Sequence, residues 1–368
     1  MSGAPSGAAH TPGVGSRSVP LGARAVIDSA ADLRSRAAAL VRSALVWDNV
    51  FPINLPGAVE LGNSWESLEA FREAGVDVVS ITLAGDNHNV GQAFALCAWA
   101  RRELREREDR MMLIRCVADI ERARAGDRLG IILHFEGTRC FEREPAVVEL
   151  FYEIGIRQAL IAFNQQNSAG GGCADPRDGG LTPYGRRLVQ EIQRVGMLLD
   201  LSHTGYRTSL DAIELASKPV VFSHSNAYAL CPSFRNLKDD QIRACARSGG
   251  VVGVSGSSEY LGDPACASES IVRHIDYLAQ VGGIDHVALG LDVVFEPEAL
   301  SVWARARPDE WPMTRDPNWP GFHYAQPAQL AEVAELMLQR SYSESDVRKV
   351  LGENLLRVCR AVWREGSW

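Results

Sequence analysis

The sequence predicts an α/β fold, a (β/α)₈ TIM barrel in one domain, from three observations. About eight short runs rich in Val, Ile and Leu alternate with longer amphipathic segments. That order repeats along the chain without a composition break, as a barrel requires. Polar side chains suited to binding a cation cluster where the runs end, which is the face on which barrels carry their working residues.

The strand candidates in order are ALVWDN (44–49), GVDVVSITLA (75–84), LGIILHFEG (129–137) and IRQALIAFN (156–164). Four more follow: GMLLDLSH (196–203), KPVVFSH (218–224), GGVVGVSG (249–256) and HVALGLD (286–292). Between them, NSWESLEAFREAG places Asn63 and Glu66 at the three-residue spacing of a helix start. TPYGRRLVQEIQRVG and LKDDQIRACARSGG read as helices ending on glycine.

At 368 residues and 46% hydrophobic content the chain can bury a large core. A net charge of -8 excludes a nucleic-acid footprint, and the densest basic stretch, RRELREREDR, is interleaved with acids. No apolar stretch is long enough to span a bilayer, so no membrane partner is expected. Residues 1–22, which open MSGAPSGAAHTPGVGSRSVP, lack the features of a signal peptide and read as a disordered tail on a cytoplasmic protein. Residues 23–368 form the barrel domain in this reading. The eight cysteines are scattered with no CxxC pair, so reduced, mostly buried thiols are expected rather than disulfides.

The third run ends in His134 and Glu136, the fourth in Asn164, the fifth in Asp200, Ser202 and His203, the sixth in Ser223 and His224, and the eighth in Asp292. Imidazole and carboxylate together suit a zinc ion, so Glu136, His203 and His224 are the candidate ligands. His134, two positions before Glu136, points the same way one layer deeper, as a support for the ligands or as packing. Asp200 faces the helical shell or caps a loop. Arg235, with Asn226 upstream and Asn236 beside it, has the fork geometry to bind a substrate carboxylate. The glycine-rich NSAGGGCADPRDGG (167–180) lacks the ending of a phosphate loop and reads as a mobile lid or a wide turn over the mouth. The Trp- and Pro-rich segment 301–327 reads as a loop over the mouth, for specificity or a subunit contact.

These residues resemble the membrane dipeptidase (renal dipeptidase) family of zinc peptidases. The likeness is densest in GMLLDLSHTGYRTSLDAIELASKPVVFSHSNAYALCPSFRNLKDDQIRACARSGGVVGV and extends through ILHFEGT, FNQQNSAGGGC, VALGLDVVF and VRKVLGENLLRV. It implies a barrel of the metal-dependent hydrolase type that cleaves dipeptides with a metal-activated water. By the same resemblance Glu136 matches a bridging carboxylate, with His203 and His224 completing the second zinc site. Arg235 matches the residue that binds the terminal carboxylate, with Asn236 at its side, and Asp292 the carboxylate of proton transfer.

Two departures stand out. The family's carbonyl-polarising histidine falls at Asn164, an amide that can donate a hydrogen bond but carries no charge. The first strand of the family ends Asp-Gly-His-x-Asp; here Asp48 is kept, while Val50 and Pro52 replace the two ligands. Three protein ligands remain, enough for one catalytic zinc rather than two. The expected function is hydrolysis of a dipeptide or related small amide ending in a carboxylate, with Asp292 as general base and Asn164 as a hydrogen-bond donor. A pocket more apolar on the first-strand side implies a bulkier substrate, and a homodimer is the assembly considered. The alternative is a barrel that has lost dinuclear peptidase chemistry and serves as a binding protein or acts on a biosynthetic intermediate.

Overall fold

The computed structural model describes Gly3 and residues 30–365. Apart from Gly3, the expected tail over 1–22 lies outside the described residues.

Nine parallel strands form the sheet: β1 (Trp47–Pro52), β2 (Val78–Gly85), β3 (Met111–Leu113), β4 (Leu129–Glu136), β5 (Ile156–Leu160), β6 (Leu198–Asp200), β7 (Val221–Phe222), β8 (Val251–Val254) and β9 (Val287–Leu289). Their order is β1-β2-β4-β5-β6-β7-β8-β9, so all eight predicted runs line one nearly closed barrel. Sequence reading missed β3, whose three residues are too short to show a period. It pairs with the start of β4 through Met111↔Leu129, ahead of the point where β5 begins its pairing at Leu133↔Ile156.

The barrel interior is layered. Near the N-terminal end of the strands, Trp47, Val78, Ile132, Leu198, Val221 and Val251 pack with Leu355, Val358 and Val362 of the C-terminal helix Asn354–Val362. Arg357 of that helix ties it to the carbonyls of Gly249 and Asp285, just before β8 and β9. Above this apolar layer the interior turns polar. The Trp47 indole donates to Ser80, Ser80 donates to Asn49, Thr82 meets His134 at 2.9 Å, and the Gln158 amide donates to Asp200. The outer faces of the strands join the much larger core beneath the helices.

No ladder joins β9 to β1. A side chain bridges the gap: Asp48 Oδ1 accepts the Leu291 N–H at 2.9 Å and the Val50 N–H at 3.4 Å. The retained aspartate of the first strand is thus a seam of the barrel.

One helix start differs from expectation. Asn63 caps nothing; its amide donates to the Pro52 and Val293 carbonyls and its oxygen accepts from Phe295, pinning the β1 loop to the β9 loop. Ser64 Oγ instead accepts the Glu66 and Ser67 N–H groups. Asn63 is fully buried, so two distant carbonyls outbid the local turn for its amide.

The seam can be tested by its pH dependence. Burial pushes Asp48 up to about 7 from the ordinary 3.8, against the two N–H bonds that lower it and the neighbouring Asp292 charge that raises it further. The folded chain therefore keeps a proton that the unfolded chain releases, so this stabilisation is complete below about pH 4 and lost as pH rises through about 7. Asp48→Asn keeps an acceptor without the charge, so its stability relative to wild type rises between pH 5 and pH 8 in urea denaturation. Asp48→Ala leaves the Leu291 N–H unpaired and costs about 1–3 kcal/mol.

Candidate metal centre

Glu136 closes β4, and His203 and His224 lie just past β6 and β7. Their ligand atoms fall within 4.8 Å of one another, and all three residues are buried. The Nε2 atoms of His203 and His224 are 2.8 Å apart, and Glu136 Oε1 is 3.6 Å from His224 Nε2.

The other ring nitrogens decide what those atoms are. His203 Nδ1 lies 2.7 Å from Asn164 Oδ1, an acceptor, and His224 Nδ1 lies 2.7 Å from Ser223 Oγ. Ser223 passes its own hydroxyl proton to Ser202 and so accepts from His224. Both Nδ1 atoms then carry the proton, which leaves two Nε2 lone pairs facing each other beside a carboxylate. Protonating the pair is opposed: burial drives both imidazoles well below their ordinary value, and the Arg235 charge lowers them further. Facing lone pairs that resist a proton are a donor set for a cation, and two nitrogens with one carboxylate oxygen suit zinc. Glu136 is itself pushed well up, by burial first and then by the Asp292 and Asp200 charges, a strain that a bound cation would relieve.

The backbone is strained where it aims these groups. Asn164, His203 and Asp292 take positive φ values of 56°, 61° and 59°, so the chain doubles back at three strand ends to turn side chains over the mouth. Neighbours hold the bends. Phe163 stacks on the His203 ring at 4.2 Å, and Cys173 accompanies His203 on Asn164 Oδ1, donating its thiol at 3.2 Å. The expected glycine-rich segment is a pinned wide turn rather than a lid. Gly171 donates to Thr208 and Cys173 N–H to the His203 carbonyl. A Cβ on Gly172 would sit 2.2 Å from the Asn164 carbonyl.

Arg235 is buried and has no carboxylate partner. It donates to Ser225 Oγ at 3.1 Å and to the His224 carbonyl at 2.8 Å, lies 5.3 Å from the Tyr260 ring, and leaves Nε unpaired. Asn236 spends both amide protons on the Cys231 and Tyr260 carbonyls, bracing the Arg235 loop. Asp292, partly buried, is pushed up to about 7 by desolvation against the Arg235 charge. Asp200 caps the β6 and β7 turns by accepting from the Ser202 and Ser223 N–H groups. His134, one layer down, is fully buried with Nδ1 unpaired, and burial lowers it to about 3.

Sequence reasoning passed over Asp86. Its carboxylate, at the end of β2, accepts from the N–H groups of Thr138, Arg139 and Phe163 and from the Asn167 amide, so it clamps the β4 and β5 loops. The strand-end rule that found Glu136 applies equally to this position. Val50 and Pro52 sit where the structure offers no further ligand: among the described residues the three-residue group is the only such cluster.

A nearly closed parallel barrel with a His-His-Glu centre at its C-terminal mouth defines a metal-dependent hydrolase. A model of the membrane dipeptidase family (Peptidase family M19) matches residues 84–299. The chain is 35% identical over 267 residues to an uncharacterized protein in the pqqA 5′ region of Klebsiella pneumoniae, covering 70% of this chain and 90% of that one. It is 29% identical over 258 residues to Dipeptidase tcpJ of Claviceps purpurea, covering 69% of this chain but 56% of that protein's length. Among solved structures, an amidohydrolase from Pseudomonas aeruginosa superposes with a TM-score of 0.80 at 28% identity, covering 89% of this chain and 99% of that one. A metallo peptidase from Rhodobacter sphaeroides, liganded with a phosphinate mimic of the dipeptide L-Ala-D-Ala, shares the fold at TM-score 0.69 and 21% identity, covering 87% of this chain and 99% of that one. The chain belongs to the membrane dipeptidase family.

The position of Asn164 yields a test. Asn164→Asp keeps an acceptor for His203 Nδ1–H and retains metal affinity, whereas Asn164→Leu removes it and weakens metal binding about 10–100-fold. Competition with a chromogenic chelator measures both.

Proposed function

We propose that the protein is a mononuclear zinc hydrolase that cleaves a dipeptide or related small amide ending in a carboxylate. The observation that carries this reading is the pair of outward-donating histidines whose Nε2 atoms converge beside Glu136. A zinc ion held by Glu136, His203 and His224 would supply a water acidic enough to deprotonate near neutral pH.

The chain's own groups do the rest. Arg235 receives the substrate carboxylate: a buried guanidinium with an unpaired Nε and no direct ion-pair partner gains one that can reach two donors at once. Asp292, held up to about 7, takes a proton at neutral pH and returns it to the leaving amine. The Asn164 Nδ2 group is buried without a partner and is free to donate to the oxygen that gains charge, while Oδ1 keeps His203 in place. Asn236 serves substrate binding through the Arg235 loop that it braces. Eight free thiols fit a reducing compartment, and the cytoplasm is the proposed location. Residues 23–368 are read as one catalytic domain.

Metal analysis of protein purified without chelator should find about one zinc per chain, lost in His203→Ala. Two ions would show that a first site persists with other ligands; none after zinc is supplied would end the hydrolase reading. Asp292 must be ionised to accept a proton, so kcat falls as pH drops through about 7. Asp292→Asn lowers kcat about 10²–10⁴-fold with zinc content unchanged, as stopped assays beside metal analysis would record.

A further inference from the structure

The centre opens sideways into a cleft of about 1120 Å³ that includes Glu136 and Phe163. It runs along the β1 and β2 side of the mouth, where Val50 and Pro52 stand in place of ligands. This volume exceeds the ~300–1,000 Å³ of most ligand pockets, and a small dipeptide would leave most of it to water.

The walls near the first strand are apolar: Pro52, Ile53, Leu55 and Leu61 face Leu300 and Trp303 of the helix Pro297–Arg305. A free dipeptide also brings an ammonium group next to the scissile amide, and the cleft's uncommitted acids, Glu142 and Glu310, share it with three arginines. Glu136 belongs to the metal centre. The Asp86 oxygens are filled by the Thr138, Arg139, Phe163 and Asn167 N–H groups. Glu142 accepts from the Val90 N–H at the rim, and desolvation raises Glu310 beside the charge of Arg307. Arg139, Arg143 and Arg307 line the same cleft, and none has an ion-pair partner among the described residues. Arg307 lies 4.1 Å over the Trp303 ring, so one cation borders the apolar wall directly.

We infer that the cleft binds the acyl part of an N-acylated amino acid, an extended apolar chain ending in a carboxylate, rather than the amino-terminal residue of a free dipeptide. This rests on the hydrolase reading and names its substrate class. The apolar body lies against Leu61, Leu300 and Trp303, and its terminal carboxylate meets the arginines. Hydrolysis adds water across the amide, releasing the dicarboxylic acid and the free amino acid.

The zinc-loaded enzyme is assayed with Leu-Ala, N-octanoyl-alanine and N-suberoyl-alanine. The expected kcat/KM rises at least tenfold from Leu-Ala to the octanoyl compound and again to the suberoyl one. Arg139→Ala combined with Arg307→Ala removes the second rise. Leu-Ala matching or exceeding both acyl compounds would overturn the inference and leave the hydrolase reading intact. Binding to Asp292→Asn, followed by calorimetry, separates the two failures. Tighter binding of the acyl compounds without turnover in wild type would support the cleft and refute the hydrolase; equal binding of all three would refute the cleft.

Discussion

Two imidazole nitrogens with their lone pairs pointed at each other are the condition around which the rest of this mouth is arranged. Left alone, such a contact would be relieved by a proton, a rotation or a retreat of the chain. Each escape is blocked. Burial and Arg235 oppose the proton. Rotation would forfeit the Asn164 and Ser223 bonds and the Phe163 stack. Retreat is prevented by the strained bends at Asn164 and His203, which the glycine-rich turn wedges in place from the far side. The spacing set in this way leaves the site ready for a cation before one arrives.

The same logic explains where the barrel is stiff and where it is open. Asp86 fastens the β4 and β5 loops through four N–H donors, and Asp200 fastens the β6 and β7 turns through backbone N–H groups. Both carboxylates could be mistaken for ligands by position, yet each is consumed in holding the ligand loops at fixed spacing. Asp48 belongs with them. Its partner strand β9 offers no ladder, so a side chain completes the wall where the main chain does not. Asp48 thus serves the wall of the barrel, while its neighbour Asn49 joins the polar layer inside it through Ser80.

Much of this was legible in the sequence. Strands buried on both faces appear as apolar runs, and polar residues at barrel strand ends meet at one mouth, so the eight strands and the convergence of Glu136, His203 and His224 followed from pattern. What stayed hidden involved partners far apart in sequence. Asn63 looked like a helix cap because its neighbours are helical, and only the folded loops reveal the Pro52 and Val293 carbonyls it serves. The Cys173 thiol on Asn164, the Phe163 stack and the clamp at Asp86 are contacts between loops, which no periodicity encodes. β3 was too short to register.

The end of β1 and the cleft beside it are both largely apolar. Val50 and Phe51 are fully buried, and Phe51, the residue between Val50 and Pro52, packs edge-on against Phe71 and faces Phe295 in the core beneath the helices. The helix Pro297–Arg305 brings Leu300 and Trp303 over the same side, and the roof continues through Trp311, which meets Phe163 at 6.0 Å. Phe163 in turn lies on His203, so the roof, the apolar cleft and the metal centre share one aromatic side chain. Substitutions at Trp311 or Phe163 therefore reach the histidine pair, whereas cleft residues that do not touch Phe163 can be changed apart from it.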